Sequence, residues 1–211
     1  MNNKSKLVFV TFLTLVRFPL VLLFFVGAVA NSCRPQPLTW IFFASFFALV
    51  LAAVTDLFDG YYARKFNVTT ELRAHADPLM DKIYYLTALP ALVYIALRNG
   101  NTFHATLLLG ITVLFLARDQ WVSFLRAIGS RYNVSGCASF TGKLRTAVNF
   151  PLLCAIYYIE AVPKKYLFFC MDLIYTFEAL AIVITLYSFY SYTRHYWPQL
   201  RQAARPEHSN H

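Results

Sequence analysis

The sequence predicts an all-α integral membrane protein of six transmembrane helices with N- and C-termini cytoplasmic, and three observations carry that prediction. Of 211 residues, 58% are hydrophobic and 14% charged, too few charges to coat a soluble domain in the usual way. Six apolar runs, roughly 9–30, 38–59, 77–97, 103–122, 146–162 and 166–192, each approach the length of about 20 residues that crosses a bilayer. If the first run starts inside, the inner segments hold twelve basic residues, from Lys4 and Lys6 to Arg205. The outer ones hold four, Arg34, Arg98, Lys164 and Lys165. That asymmetry satisfies the positive-inside bias. The chain therefore reads as a single membrane domain over 1–211 with a short polar tail from about 198.

The first run follows Lys4 and Lys6 and ends in Ala28-Val29-Ala30, in the manner of a signal peptide. It is longer than an ordinary signal core and is interrupted by Arg17, so it reads as a retained span. An arginine within a span either serves a polar cavity or snorkels to the interface. Pro35 and Pro37 end the helix and make an external turn. The four cysteines fall in different segments without CxxC spacing and read as free, mostly buried thiols.

The second and third runs meet at residues 56–82, the most informative stretch. Four of the ten acidic residues, Asp56, Asp59, Asp77 and Asp81, stand here at the ends of two apolar segments. Spacings of three and four put each pair on one helix face. Four carboxylates converging near membrane depth repel one another unless cations neutralise them. A divalent metal site is the leading reading, and oxygen ligands without well-placed Cys or His favour Mg²⁺ or Mn²⁺. The bland reading makes each Asp an ordinary helix-end carboxylate paired with Arg64, Lys65, Arg73 or Lys82. Gly60 either lets a ligand approach the backbone or serves helix packing. The polar segment 65–76 reads as a short turn or interfacial helix, and Asp77-Pro78 as the opening of the third span.

The fourth run ends in a cationic constellation. Arg118 and Asp119 interrupt an apolar stretch, and Arg126, Arg131, Lys143 and Arg145 follow with Gly129, Gly136 and Gly142 between them. Cations among glycines suit a phosphorylated ligand; contact with anionic lipid accounts equally well for Arg126 and Arg131. The last two runs are rich in aromatics, and the stretch near 187–197 suits an interfacial belt. A net charge of +9 fits anionic lipids and phosphorylated substrates. The basic residues flank membrane segments instead of covering one soluble face, which argues against nucleic acid.

Asp56, Asp59, Gly60, Ala63, Arg64, Asp77 and Asp81 resemble the signature of the CDP-alcohol phosphotransferase family, Asp-x2-Asp-Gly-x2-Ala-Arg-x8-Gly-x3-Asp-x3-Asp. The one departure is Arg73, where the family has its second glycine. Arg118-Asp119, Leu125-Arg126, Gly142-Lys143-Leu144-Arg145-Thr146 and Asn149 are similar to a segment of the branch that makes phosphatidylglycerophosphate. Thr14 and Arg17 resemble the Thr-x-x-Arg often found in the family's first helix.

The resemblance implies transfer of a phosphatidyl group from CDP-diacylglycerol to sn-glycerol 3-phosphate in the cytoplasmic membrane, with CMP released toward the cytoplasm. It implies Asp56, Asp59 and Asp77 as metal ligands, Asp81 as catalytic base also near a metal, and two divalent cations in all. Asp56, Gly60, Ala63 and Arg64 would hold the cytidine diphosphate, and Arg118, Lys143 and Arg145 the acceptor's phosphate. Inositol phosphate, serine or a phospholipid stay open as acceptors, as does a non-catalytic or ion-coupled membrane protein. A carrier more naturally shows inverted repeats, and none is visible. The sequence also leaves a homodimer open.

Overall fold

The computed structural model describes residues 3–66, 71–132, 140–163, 166 and 171–204. Side chains within helices at 3–11, 57, 59–66, 71–75, 77 and 140–143 lie outside the described residues. Six helices make up the described chain: α1 Asn3–Ser32, α2 Thr39–Phe66, α3 Glu71–Arg98, α4 Thr102–Arg131, α5 Phe140–Ala161 and α6 Met171–Ala203. Five of them, all but α5, contain stretches long and apolar enough to cross a membrane. α5 is shorter, 22 residues, and carries Arg145, Asn149 and Glu160.

The helices run past the apolar runs that announce them. α2 continues to Phe66, α3 starts at Glu71, α4 reaches Arg131 and α6 reaches Ala203. Hydrophobicity marks where a helix sits in lipid, whereas backbone hydrogen bonding carries on into flanking segments rich in helix-forming Arg, Leu and Glu. Asp77-Pro78 consequently lies inside α3 and does not open it, with Pro78 removing one N–H from the helix interior.

α1 packs against α2 and α3, α3 against α4, and α4 against α6, while α5 closes the bundle against α6, α2 and α3. The core between them joins Phe24 of α1, Phe42 and Leu49 of α2, Leu89 and Leu92 of α3, Phe115 of α4, Leu153 of α5 and Ala181 of α6, all buried. Small residues set the spacing, as helix packing in lipid requires. Ala48, Ala52, Ala88 and Ala91 are buried at the contacts, and a Cβ added at Gly27 would collide with Ser45. The outer surface is apolar: Val26, Phe47, Val113 and Val183 are each more than 60% exposed. Such a coat is stable only against hydrocarbon.

Between α3 and α4 the chain reverses in three residues. Gly100 takes φ +80°, its N–H reaches Leu97 O and that of Asn101 reaches Ala96 O, both at 3.0 Å. This is the Schellman arrangement that a glycine permits. The Asn101 side chain then accepts from His104 N, capping α4. Of the cysteines, Cys33 is exposed and Cys154 half-buried. The reading of mostly buried thiols fails at Cys33, which follows the last residue of α1 and is exposed, whereas Cys154 packs against the core; Cys137 and Cys170 lie outside the described residues.

Candidate active site

Three helices bring charge together at one end of the bundle. Arg17, four turns into α1, is 1% exposed, and its Nη2 lies 2.7 Å from Asp56 Oδ1 on α2. Its Nη1 lies 3.1 Å from Asp81 Oδ1 on α3. One guanidinium thus ties two carboxylates from different helices. Its position serves the polar site and does not snorkel to an interface.

Asp81 has a second face. With Lys82 and Pro78 of α3 it lines a cleft of about 210 Å³ whose other walls are Arg118, Asp119, Val122, Ser123 and Arg126 of α4, Arg145 and Thr146 of α5, and Tyr192 of α6. Arg118, Val122 and Arg126 share a wall because they are four apart on one helix. Asp119 organises the cations: Arg145 grips it with both terminal nitrogens, at 2.7 and 3.1 Å, and Arg118 reaches it at 3.0 Å. Arg118 also donates to Ser188 Oγ at 2.5 Å. The Arg145 guanidinium lies 5.0 Å above the Tyr85 ring and 5.1 Å from that of Phe115, a favourable cation–π arrangement.

Four cations, Lys82, Arg118, Arg126 and Arg145, thus face two anions, Asp81 and Asp119, across the cleft. The Nε–H groups of Arg118, Arg126 and Arg145 are buried without hydrogen-bond partners among the described residues. A buried donor left unpaired costs about 1–3 kcal/mol, more when charged. Four cations against two anions leave the cleft net positive, which suits an anionic ligand.

Residues 8–190 match the family model described as CDP-alcohol phosphatidyltransferase. The chain belongs to the CDP-alcohol phosphatidyltransferase family. It is 30% identical over 174 residues to a CDP-diacylglycerol–glycerol-3-phosphate 3-phosphatidyltransferase of Pseudomonas fluorescens, with 81% of this chain and 84% of that protein covered. Proteins of the same name from Escherichia coli (strain K12) and Shigella flexneri serotype 5b (strain 8401) are 29% and 28% identical, and each comparison covers 74% of this chain and 80% of the relative. As a phosphatidyltransferase with several bilayer-length apolar helices, the chain is a multi-pass membrane enzyme.

The structure brings together Asp56 and Asp81 of the predicted metal and catalytic set, and Arg118 and Arg145 of the predicted phosphate set. The side chains of Asp59, Gly60, Ala63, Arg64, Asp77 and Lys143, and of Arg73, lie outside the described residues. Among the described residues no group of three His, Cys, Asp or Glu is arranged to hold a metal ion. Sequence reasoning missed Lys82 and Tyr192 as parts of the cleft and gave Arg126 equally to lipid. The four-residue spacing of Arg118 and Arg126 from Val122 was a signal available for Arg126. Nothing local in the sequence marks Tyr192, which reaches the cleft only through the packing of α6.

A second polar cluster occupies the opposite end of α4. His104, fully buried, sits between Glu160 of α5, 2.5 Å from its Nδ1, and Glu178 of α6, 2.8 Å from its Nε2. Asn99 and Asn101 also donate to the Glu160 carboxylate. Fourteen residues separate His104 from Arg118, about 21 Å along a helix, so this network ties α4, α5 and α6 together far from the cleft.

Proposed function

We propose that the protein transfers the phosphatidyl group of CDP-diacylglycerol to sn-glycerol 3-phosphate, giving phosphatidylglycerophosphate and CMP. The observation that carries this reading is the placement of Asp81 in the wall of a net-cationic cleft that Lys82, Arg118, Arg126 and Arg145 also line. A carboxylate beside an anion pocket is what a phosphorylated alcohol needs if one group is to hold its phosphate and another is to take its proton. The names of the relatives support the same donor and acceptor.

In this reading an acceptor hydroxyl attacks the lipid-linked phosphorus. Its proton passes to the Asp81 carboxylate, and the bond from that phosphorus to the oxygen shared with CMP breaks. Arg118 and Lys143 hold the acceptor's phosphate. Arg145, already engaged with Asp119 through both terminal nitrogens, contributes chiefly its charge. Arg126 and Lys82 add donors that the sequence reading did not include. Gly60, Ala63 and Arg64, with Asp56, hold the cytidine diphosphate, where a planar guanidinium suits paired phosphates.

The oxygen-only donor set of Asp56 and Asp81, drawn together from two helices onto one buried cation, fits hard divalent ions. With Asp59 and Asp77 it would hold Mg²⁺ or Mn²⁺, two ions in all. Bound there, such ions neutralise charge on the diphosphate and on the departing phosphate. The six helices cross the cytoplasmic membrane with both termini and the cleft on the inner side, in keeping with the basic inner segments.

Release of CMP by the purified protein with CDP-diacylglycerol and a panel of acceptors tests the reading. sn-Glycerol 3-phosphate should give the highest kcat/KM. A higher value for inositol phosphate, serine or a phospholipid would reassign the acceptor, and no CMP release with any acceptor would end the enzyme reading.

A further inference from the structure

Tyr192 lies two residues beyond the segment that matches the family model, yet it forms part of the cleft wall. Its side chain is 3% exposed. The Arg118 guanidinium carbon lies 5.1 Å from the ring centroid and that of Arg126 5.6 Å. Arg126 Nη2 also donates to the Tyr192 hydroxyl at 3.1 Å.

These contacts address a physical difficulty of the cleft. Arg118 and Arg126 are like charges two turns apart on α4, and a free arginine spreads over many rotamers. An aromatic face attracts both cations, and the hydroxyl fixes the fork of one of them. The ring is itself held in place. Tyr192 packs with Val122, Leu125 and Tyr196 in a small core between α4 and α6. A Cβ at Gly129 would strike the Tyr196 ring, and Trp121 Nε1 donates to Thr193 at 2.9 Å.

We propose that Tyr192 is a positioning residue that holds Arg118 and Arg126 in the arrangement that grips the acceptor's phosphate, and so sets affinity for a phosphate-bearing alcohol. The proposal rests on the acceptor reading above.

The test compares the full-length protein with Tyr192→Phe and Tyr192→Leu in detergent micelles. Tyr192→Phe keeps the ring and loses one hydrogen bond to a charged group, so KM for sn-glycerol 3-phosphate should rise about fivefold. Tyr192→Leu loses the ring as well, and the rise should reach about 30-fold. The KM for CDP-diacylglycerol and kcat should stay within about twofold in both. Parallel rises in both KM values, or a fall in kcat with KM unchanged, would overturn the proposal, since a merely structural role moves those. Should Tyr192→Leu fail to fold, the Phe variant decides.

Calorimetric binding of sn-glycerol 3-phosphate separates this proposal from the reaction. Binding by the unsubstituted protein that weakens in the Phe variant, without turnover, would overturn only the reaction and support the role of Tyr192. Turnover with an unchanged KM in the variants would overturn Tyr192 alone. A protein that neither binds nor uses the compound would overturn both.

Discussion

Arg145 meets Asp119 fork to carboxylate, Nη1 to Oδ1 at 2.7 Å and Nη2 to Oδ2 at 3.1 Å, with both residues buried. Because Arg118 shares the same carboxylate, Asp119 is the anion that lets two guanidiniums stand side by side. Removing one partner of a buried ion pair leaves the other charge uncompensated, a loss of about 3–5 kcal/mol. Asp119→Ala should therefore destabilise the protein by about that amount in micelles, read from unfolding curves. Adding Arg145→Met should recover part of the loss. Equal stability of Asp119→Ala and the parent would mean that the pair is solvated and does not organise the cleft.

Asp81→Asn is the sharpest test of the chemistry. The amide keeps the shape and can still accept from Arg17, but it cannot take up a proton or place charge beside a cation. CMP release should fall by at least about 10³-fold, a barrier increase of about 4 kcal/mol, while the unfolding temperature stays near that of the parent. Chelation of divalent ions should abolish turnover, and Mg²⁺ or Mn²⁺ should restore it. Near-parental CMP release from the variant would remove Asp81 from the mechanism, and chelator resistance would remove the metals.

The all-helical fold was legible because bilayer-length apolar runs admit few other structures. Helix ends were not, since α2, α3, α4 and α6 continue through polar residues that carry no hydrophobic signal. Helical spacing pairs Asp56 with Asp59 and Asp77 with Asp81; that Asp56 and Asp81 meet at one place follows only from bringing the two faces together, as the motif implies. That a buried Arg17 joins them was one of two readings left open, because a span arginine looks the same in sequence whether it points inward or snorkels. The cationic cleft was half legible: Arg118 stood out by interrupting an apolar run, whereas Tyr192 looks like any aromatic of an interfacial belt. Only the contact between α4 and α6 distinguishes it. The network of His104, Glu160 and Glu178 left no trace at all, because its members are 18 and more residues apart on three helices and only packing brings them within 3 Å.

That network should matter for stability and not for kinetics. His104→Ala would leave Glu160 and Glu178 facing a void with no group between them, and Glu178 Oε2 already has no partner among the described residues. A loss of about 3–5 kcal/mol is expected, with both KM values within about twofold of the parent because the cleft is about 21 Å away. Adding Glu178→Gln should recover part of the stability. A selective change in acceptor KM would show that the two ends of α4 are coupled.

Arg17 gives the last prediction, because its two carboxylates ask something only a guanidinium can supply. Nη2 serves Asp56 and Nη1 serves Asp81, so α1 fixes the carboxylates of α2 and α3 relative to each other through two separate nitrogens on one rigid plane. A lysine would retain the charge but present a single nitrogen on a flexible stem. It could satisfy one carboxylate at full strength and would hold the second less firmly. Carboxylates that orient a metal or a reacting hydroxyl lose activity when misplaced by about 1 Å, on the order of 10²-fold. Arg17→Lys should accordingly lower kcat by about 10- to 100-fold, with a stability loss smaller than that of Arg17→Met, which removes the charge as well. Steady-state CMP release alongside unfolding curves checks both parts. If Arg17→Lys turns over at the parental rate, a point charge suffices at this position, and the guanidinium geometry has no part in setting the distance between Asp56 and Asp81.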